Sequence, residues 1–486
     1  MGMEKWGLLF SLFLSLTSFS LITASGHRVC IIGSGIGGSS AAHFLKSYSL
    51  SPSLEISVFE RREKVGGRMA TVELAGDTFE AGASILHPKN YHALNFTELL
   101  GLGRRGDNDD SWFGVWDGKG FVFKTMPPCQ WVVLKKLASF FNSLLMFGRY
   151  GFSLLRMQSF TLSAVANFLK YYEDSRPIFE SVEEMLKWAG LYGLTTQPLQ
   201  VELEQAGLSD RLISELVTVI MRINYGQDVN ISGMAGAVSL AGSDSGLWAV
   251  EGGNWQMAAG LIDRSNASLF LQEEIMSISN LGDYYELNST KGNSYHCNIT
   301  VVATPLDELN ISFSPPISIP KRKLQHTHAT FVRGVLNPGY FGLKSISEIP
   351  NLVGTVEVPD LPFSSISVLK EYSNEDKAYK VFSRVPMNDD LLDLIFSVRK
   401  EVVRINWAAY PHYEAPEIFA PIILDQLHLY YINSFENAAS TMETSAVAAE
   451  NVARLILSRL SSSLINESKG YVGTSISQER MHVDDL

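Results

Sequence analysis

The chain has 486 residues, 46% hydrophobic and 19% charged, enough for a large core divided between two lobes. Its 39 Lys and Arg against 51 Asp and Glu give a formal net charge of −12. An acidic chain without a basic tract argues against nucleic acid as a partner.

Lys5 precedes an uncharged stretch over residues 7–26, rich in Leu and Phe and closing on small residues near Ala24 and Ser25. That pattern reads as a secretory signal peptide over residues 1–25, with an uncleaved anchor as the alternative. No later stretch is long, apolar and uncharged enough to span a bilayer. The expected mature protein is lumenal, within the secretory or vacuolar system. Seven Asn-x-Ser/Thr sites fit that route as N-glycan acceptors: Asn95, Asn230, Asn266, Asn288, Asn298, Asn310 and Asn466.

Residues 28–40 read RVCIIGSGIGGSS. An apolar run feeds Gly33, Gly35 and Gly38, and a helix-compatible stretch follows. Gly33 permits a tight turn, Gly35 lets backbone approach a pyrophosphate, and Gly38 lets the helix pack on the strand. The helix N-terminus offers free N–H groups to the phosphates. Glu60 closes the next apolar run, where a carboxylate accepts hydrogen bonds from a ribose, with Arg61 beside it. Gly66, Gly67 and Arg68 follow, more backbone N–H and a charge for the pyrophosphate. Flavin enzymes often carry such a second glycine pair, which points to FAD as the cofactor; the alternative is a surface turn.

The segment FEAGASILHPKNY (residues 79–91) ends a strand at Gly82, then presents Ser84 and His87 in a loop suited to an isoalloxazine ring. Residues 131–172 form a long apolar helical region in which Phe140, Phe141, Leu144, Leu145, Phe147, Phe152 and Leu155 recur at helical spacing. Core packing is the first reading, the wall of an apolar tunnel the second. A peripheral membrane surface is the third, with Lys135, Lys136, Arg149 and Arg156 on the headgroup side.

WAVEGGNWQM (residues 248–257) opens a second dinucleotide-domain signature, and residues 301–303 read as a buried strand stopping at Thr304-Pro305. Lys321, Arg322 and Lys323 read as a solvated loop. A strand near residues 427–432 leads to Ser434, Glu436 and Asn437. A small-residue helix follows from about Ala438, its N-terminus placed to stabilise negative charge on a reduced flavin. The tail over 463–486 is polar and expected to be mobile. Three cysteines, Cys30, Cys129 and Cys297, allow one bridge at most, and Cys30 reads most simply as a small buried hydrophobe. No spacing suggests a metal site.

The predicted fold class is α/β: a Rossmann-like FAD-binding domain of the amine-oxidase/glutathione-reductase type, with a second α+β substrate lobe. The FAD domain is discontinuous, over 26–100, 245–310 and 420–462; the substrate domain takes 101–244 and 311–419.

Together GSGIGGSS, FERREKVGGRMAT, FEAGASILHPKNY, WAVEGGNWQM and the stretch from WAAYPHYEAP (residues 407–416) through ENAASTMETSAVAAEN (436–451) resemble the prenylcysteine oxidase family, most closely its plant farnesylcysteine lyase branch. The resemblance covers nearly the whole mature chain. It implies an FAD enzyme that cleaves the thioether of farnesylcysteine, or another prenylcysteine, with water and O2. The implied products are farnesal, free cysteine and hydrogen peroxide, formed after breakdown of prenylated proteins in a lysosome-like or vacuolar compartment. No family catalytic residue carries over by motif. His87 and His412 are the candidate bases on chemical grounds, as side chains that titrate near neutrality. The same cradle would also serve a generic flavin amine oxidase, or a non-catalytic flavoprotein storing prenoid lipids.

Overall fold

The computed structural model describes residues 27–50, 54–106, 112–127, 132–307 and 309–480. The expected signal peptide and Cys129 lie outside the described residues.

The strand β1 (Arg28–Ile32) is buried at every residue after Arg28, as its unbroken apolar run requires of a strand covered on both faces. Its parallel neighbours are β2 (Glu55–Glu60) on one side and Ile299–Val302 on the other. Ser268–Leu271 and Leu429–Tyr431 complete a five-stranded parallel sheet drawn from separated stretches of chain. Alternation along β1 divides the core. Val29 and Ile31 meet the helices α1 (Ile36–Tyr48), Trp255–Arg264 and Met442–Arg480. Cys30 and Ile32 face a four-stranded sheet with Ile278 and Leu287.

Cys30 is not a plain hydrophobe. It is disulfide-bonded to Cys297, 267 residues away in sequence. The pairing follows from that alternation, because Cys297 ends a strand of the sheet toward which Cys30 points.

The second lobe is a seven-stranded sheet in the order Phe396–Pro411, Leu324–Leu336, Lys377–Ser383, Ser365–Glu371, Leu352–Thr355, Phe113–Trp116, Phe121–Lys124. One face holds Val332, Tyr379, Val381 and Ile366 in its own core. The opposite face, with Ala329, Phe331, Ala378 and Trp407, lies on the hairpin Thr71–Leu74/Asp77–Glu80 that leads out of the nucleotide-binding half.

Three further expectations are corrected. The helices Val132–Tyr150 and Ser153–Phe168 are not a core pair: Phe140, Phe141, Leu144, Leu145, Phe147, Phe152 and Leu155 are 43–69% exposed. Their amphipathicity is real, but the apolar stripe faces outward. The last helix begins at Met442 rather than Ala438, after a 3-10 turn over Ile432–Asn437, and stays helical to Arg480 through most of the segment expected as a mobile tail. Arg322 does not belong to a solvated loop; its side chain is buried in a polar network described below.

Candidate functional site

The glycine turn lies between β1 and α1. Gly33 has φ +109°, and a Cβ there would sit 2.7 Å from the Ala303 carbonyl oxygen. A Cβ on Gly38 would sit 1.9 Å from the Gly33 carbonyl oxygen, so close helix–strand contact demands that glycine. Gly35 is different. Its φ of −69° and ψ of −177° suit any residue, and the nearest protein atom to an added Cβ is 3.8 Å away. The fold does not require glycine there, since an added Cβ would only touch the Gly66 carbonyl oxygen and the Gly67 Cα.

The second glycine pair flanks that turn. Gly66 bridges to Gly35 and donates its N–H to the Ser34 carbonyl at 3.2 Å. Gly66 and Gly67 have φ of +122° and +58°, values that turn successive N–H groups in a way side-chain-bearing residues resist. No side chain caps the first turn of α1. These features together make a cradle that could hold a pyrophosphate. Glu60 closes it. Its Oε2 accepts from the Ser34 N–H (3.1 Å) and hydroxyl (2.5 Å), and its Oε1 from the Arg62 N–H (2.9 Å). A carboxylate with about four acceptor positions keeps capacity for a ribose hydroxyl.

Arg61 and Arg62 are both exposed, and sequence reasoning passed over the second. Arg62 donates to the Gly67 carbonyl at 3.1 Å and lies over the Trp407 ring, 5.5 Å from its centroid. Only the tertiary approach of Trp407 distinguishes the two arginines.

Beyond the glycines the cleft becomes an ion network with an aromatic wall. Arg68 Nη1 is 2.5 Å from Glu436 Oε1 and donates to the Ala409 carbonyl at 2.6 Å, so its charge is matched in place rather than left for a phosphate. Glu436 also accepts from the Ser440 hydroxyl (2.8 Å) and Asn433 (3.0 Å). Burial pushes the Glu436 carboxyl up, but Arg68 and Arg322 hold it below the usual carboxylate value. Arg322 grips both oxygens of Asp307 (2.9 and 2.5 Å) and donates to Asn437 at 2.8 Å. Ala438 is fully buried in the turn, its N–H donating to the Phe435 carbonyl.

Tyr225, Tyr410 and Tyr413 form the wall, with Tyr225 edge-on to Tyr410 (4.8 Å) and to Tyr413 (5.2 Å). Tyr413 accepts the Ser440 N–H at 2.8 Å, and Tyr225 donates to the Ser440 carbonyl at 3.2 Å. Burial raises the pKa of all three phenols, so at neutral pH they are uncharged.

Ser84 donates to the Gly82 carbonyl at 2.6 Å, in a loop pinned to the second glycine segment by Ala83 N–H to Arg68 carbonyl (3.1 Å) and by Trp407 Nε1 to Ala81 carbonyl (3.0 Å). The two candidate histidines make hydrogen bonds of their own. His87 Nδ1 accepts from the Lys89 N–H at 3.0 Å, and its Nε2 is 3.4 Å from Asp244. Burial pushes its pKa down, with Asp244 opposing. His412 is half-buried and joined through its backbone to Lys323, and burial lowers its pKa too. The structure thus gathers Gly33, Gly35, Gly38, Glu60, Gly66 and Gly67 at one cradle, with Arg68, Glu436 and Ser84 along its extension. The hydrogen bonds of the two histidines lead to neither.

Residues 134–467 match the family model described as prenylcysteine lyase, and residues 31–98 match that of an NAD(P)-binding Rossmann-like domain. The chain is 60% identical over 477 residues to a protein named farnesylcysteine lyase from Arabidopsis thaliana, covering 94% of this chain and 95% of that one. It is 34% identical to the human protein named prenylcysteine oxidase 1, covering 90% of each. Among solved structures, cyclohexylamine oxidase from Brevibacterium oxydans superposes with a TM-score of 0.58 at 15% identity, covering 90% of this chain and all of that one. Wild-type putrescine oxidase gives 0.57 at 13%, covering 89% and 99%. At such identities the likeness is one of fold.

Proposed function

The chain belongs to the prenylcysteine lyase family, and from that premise we propose that it is an FAD-dependent thioether oxidase that cleaves farnesylcysteine. One observation carries the reading: a relative named farnesylcysteine lyase matches along nearly the whole chain, and the matched chain contains a strand–turn–helix whose central glycine would accept a Cβ with no protein atom closer than 3.8 Å.

When bound, FAD supplies the two-electron acceptor for the sulfur-bearing carbon and passes those electrons to O2. The protein does the rest. Gly35, Gly66, Gly67 and the α1 N-terminus hold the pyrophosphate, and Glu60 holds the ribose. The neutral tyrosine wall and Trp407 keep the reacting end in a low-dielectric pocket. The carbon between sulfur and the allylic double bond gives up hydride readily, because sulfur lone pairs and the alkene stabilise the developing cation. Water then adds, and the hemithioacetal collapses to farnesal and cysteine.

The expected result is that farnesylcysteine bleaches the bound flavin without air, and that O2 restores the colour with farnesal and peroxide in equal amounts. Putrescine run in parallel should leave the colour unchanged; bleaching by putrescine alone would make the protein an amine oxidase.

The setting is a lumen. A Cys30–Cys297 bridge suits an oxidising compartment, and a vacuole or lysosome fits the degradation of prenylated proteins. Asn95, Asn230, Asn266 and Asn310 are exposed and suited to carry N-glycans, whereas Asn298 accepts the Arg28 N–H at 2.9 Å.

The outward apolar helix pair rests on a bilayer. No described helix is long and apolar enough to cross a membrane. Residues 131–170 carry five basic residues and no acidic one in a chain of net charge −12; Glu215 pairs with Arg149, and the other four suit anionic headgroups. Phe140→Asp with Leu144→Asp should lower sedimentation with phosphatidylserine vesicles on the order of tenfold. Equal sedimentation of variant and parent would give the helix pair another use.

A further inference from the structure

Lys380 is a second-lobe lysine with an unusual position. It sits mid-strand in Lys377–Ser383, opposite Phe331 and Ser367 on its two neighbouring strands. It is 5% exposed. Its ammonium nitrogen donates to the Glu80 carbonyl at 2.9 Å and to the Ser84 hydroxyl at 3.0 Å, and lies over the Phe382 ring at 4.6 Å and the Phe331 ring at 5.6 Å. Among the described residues no carboxylate comes within ion-pair distance of it. A buried cation without a partner is costly, and burial pushes this amine down to about 8, with Glu80 opposing.

The groups that face it are few. Ser84 belongs to the loop pinned on the Arg68 backbone and beneath Trp407. Glu80 ends the hairpin strand; its Oε1 accepts the Asn254 N–H at 2.7 Å, and its buried Oε2 has no partner. Burial raises the Glu80 carboxyl, opposed by that bond and by Lys380 and Arg105. Among the described residues no other charged group touches the amine. A lysine that can exist as a free amine therefore reaches, through Ser84, the loop that edges the far end of the nucleotide cleft.

We propose that Lys380, as the neutral amine, accepts the proton released when water adds to the oxidised sulfur-bearing carbon. This rests on the thioether-oxidase reading above. One O–H bond of water breaks as the new C–O bond forms, and the proton moves to the lysine nitrogen. When the C–S bond then breaks, the ammonium gives its proton to the leaving sulfur and takes the hydroxyl proton in its place. The proton it finally holds becomes the second hydrogen of hydrogen peroxide, the other being the hydride removed from carbon. Atoms and charge balance without any further reagent.

The test separates oxidation from hydrolysis. Lys380→Met and Lys380→Arg are mixed without air with farnesylcysteine, and flavin bleaching and thiol release are timed in one turnover. Bleaching should stay within a few-fold of the parent, while thiol release falls on the order of 100-fold in Lys380→Met. In the parent, thiol release should rise with pH through about 8, because only the free amine accepts the proton. That limb should vanish in Lys380→Met, and added methylamine should restore release. A readout independent of turnover is competitive acetylation of Lys380 followed by mass spectrometry. In flavin-free protein it should titrate near 8, and FAD should protect it; this holds the proposal to account even if the variants do not fold. Parent-like thiol release and pH profile in Lys380→Met would overturn the proposal, as would acetylation indifferent to FAD. If farnesylcysteine fails to bleach the parent itself, the thioether-oxidase reading falls, and the role of Lys380 with it.

Discussion

Gly35→Val should purify folded and colourless. The backbone at Gly35 is extended and accepts a β-branched residue without strain, and an added Cβ finds no protein atom closer than 3.8 Å. The isopropyl group instead occupies the place a pyrophosphate needs. Loss of that close approach should weaken FAD binding on the order of 100-fold or more, about 3 kcal/mol. The measurements are the ratio of flavin to protein absorbance and a melting curve compared with flavin-free parent. Gly38→Ala is the contrasting case. Its Cβ would lie 1.9 Å from the Gly33 carbonyl oxygen, so α1 must move and the fold itself should suffer. A yellow Gly35→Val protein would remove the cofactor site from this turn.

Arg322→Met should be the most destabilising change in the ion network. Its side chain is 8% exposed, and its partners Asp307 and Glu436 are 2% and 3% exposed. Removing the guanidinium leaves Asp307 without its two-pronged donor and Glu436 with Arg68 as its remaining arginine. Breaking a buried pair from one side costs about 3–5 kcal/mol, mostly the penalty of an uncompensated charge. Urea unfolding at neutral pH should show that loss. Asp307→Asn added to Arg322→Met should recover part of it, since the stranded charge is gone, and the non-additivity of the cycle measures the coupling. A stability change below about 1 kcal/mol would mean that the site is hydrated rather than closed.

The two expectations differ in how visible their residues were. The setting of Gly35 is legible from residues 28–60 alone, because strand, turn, helix and second strand are contiguous. The setting of Arg322 is not. Flanked by two lysines, it has the composition of a solvated loop, and nothing local indicates that Asp307 and Asn437 close around it. Arg68 shows the intermediate case. Its place after the second glycine pair was legible, but its engagement by Glu436, far along the chain, turned a free charge into a matched one.

The helix pair over residues 132–168 shows a different limit. Periodicity establishes that an apolar stripe exists but not which side of the molecule it faces, and the stripe faces out. The candidate base is a similar case. His87 and His412 stood out because histidine titrates near neutrality in any setting, whereas a lysine does so only when buried. Burial of Lys380 between two phenylalanine rings is a property of the assembled sheet.

By itself the sequence determined the glycine turn with its strand–helix–strand unit, the α/β class and the family, because each depends on order along the chain. The tertiary structure alone decided the Cys30–Cys297 bridge, the Arg68–Glu436–Arg322–Asp307 network, the outward stripe and the buried amine of Lys380. Each of these depends on which strand lies beside which, and on how much water the neighbours leave, and neither is encoded in local spacing.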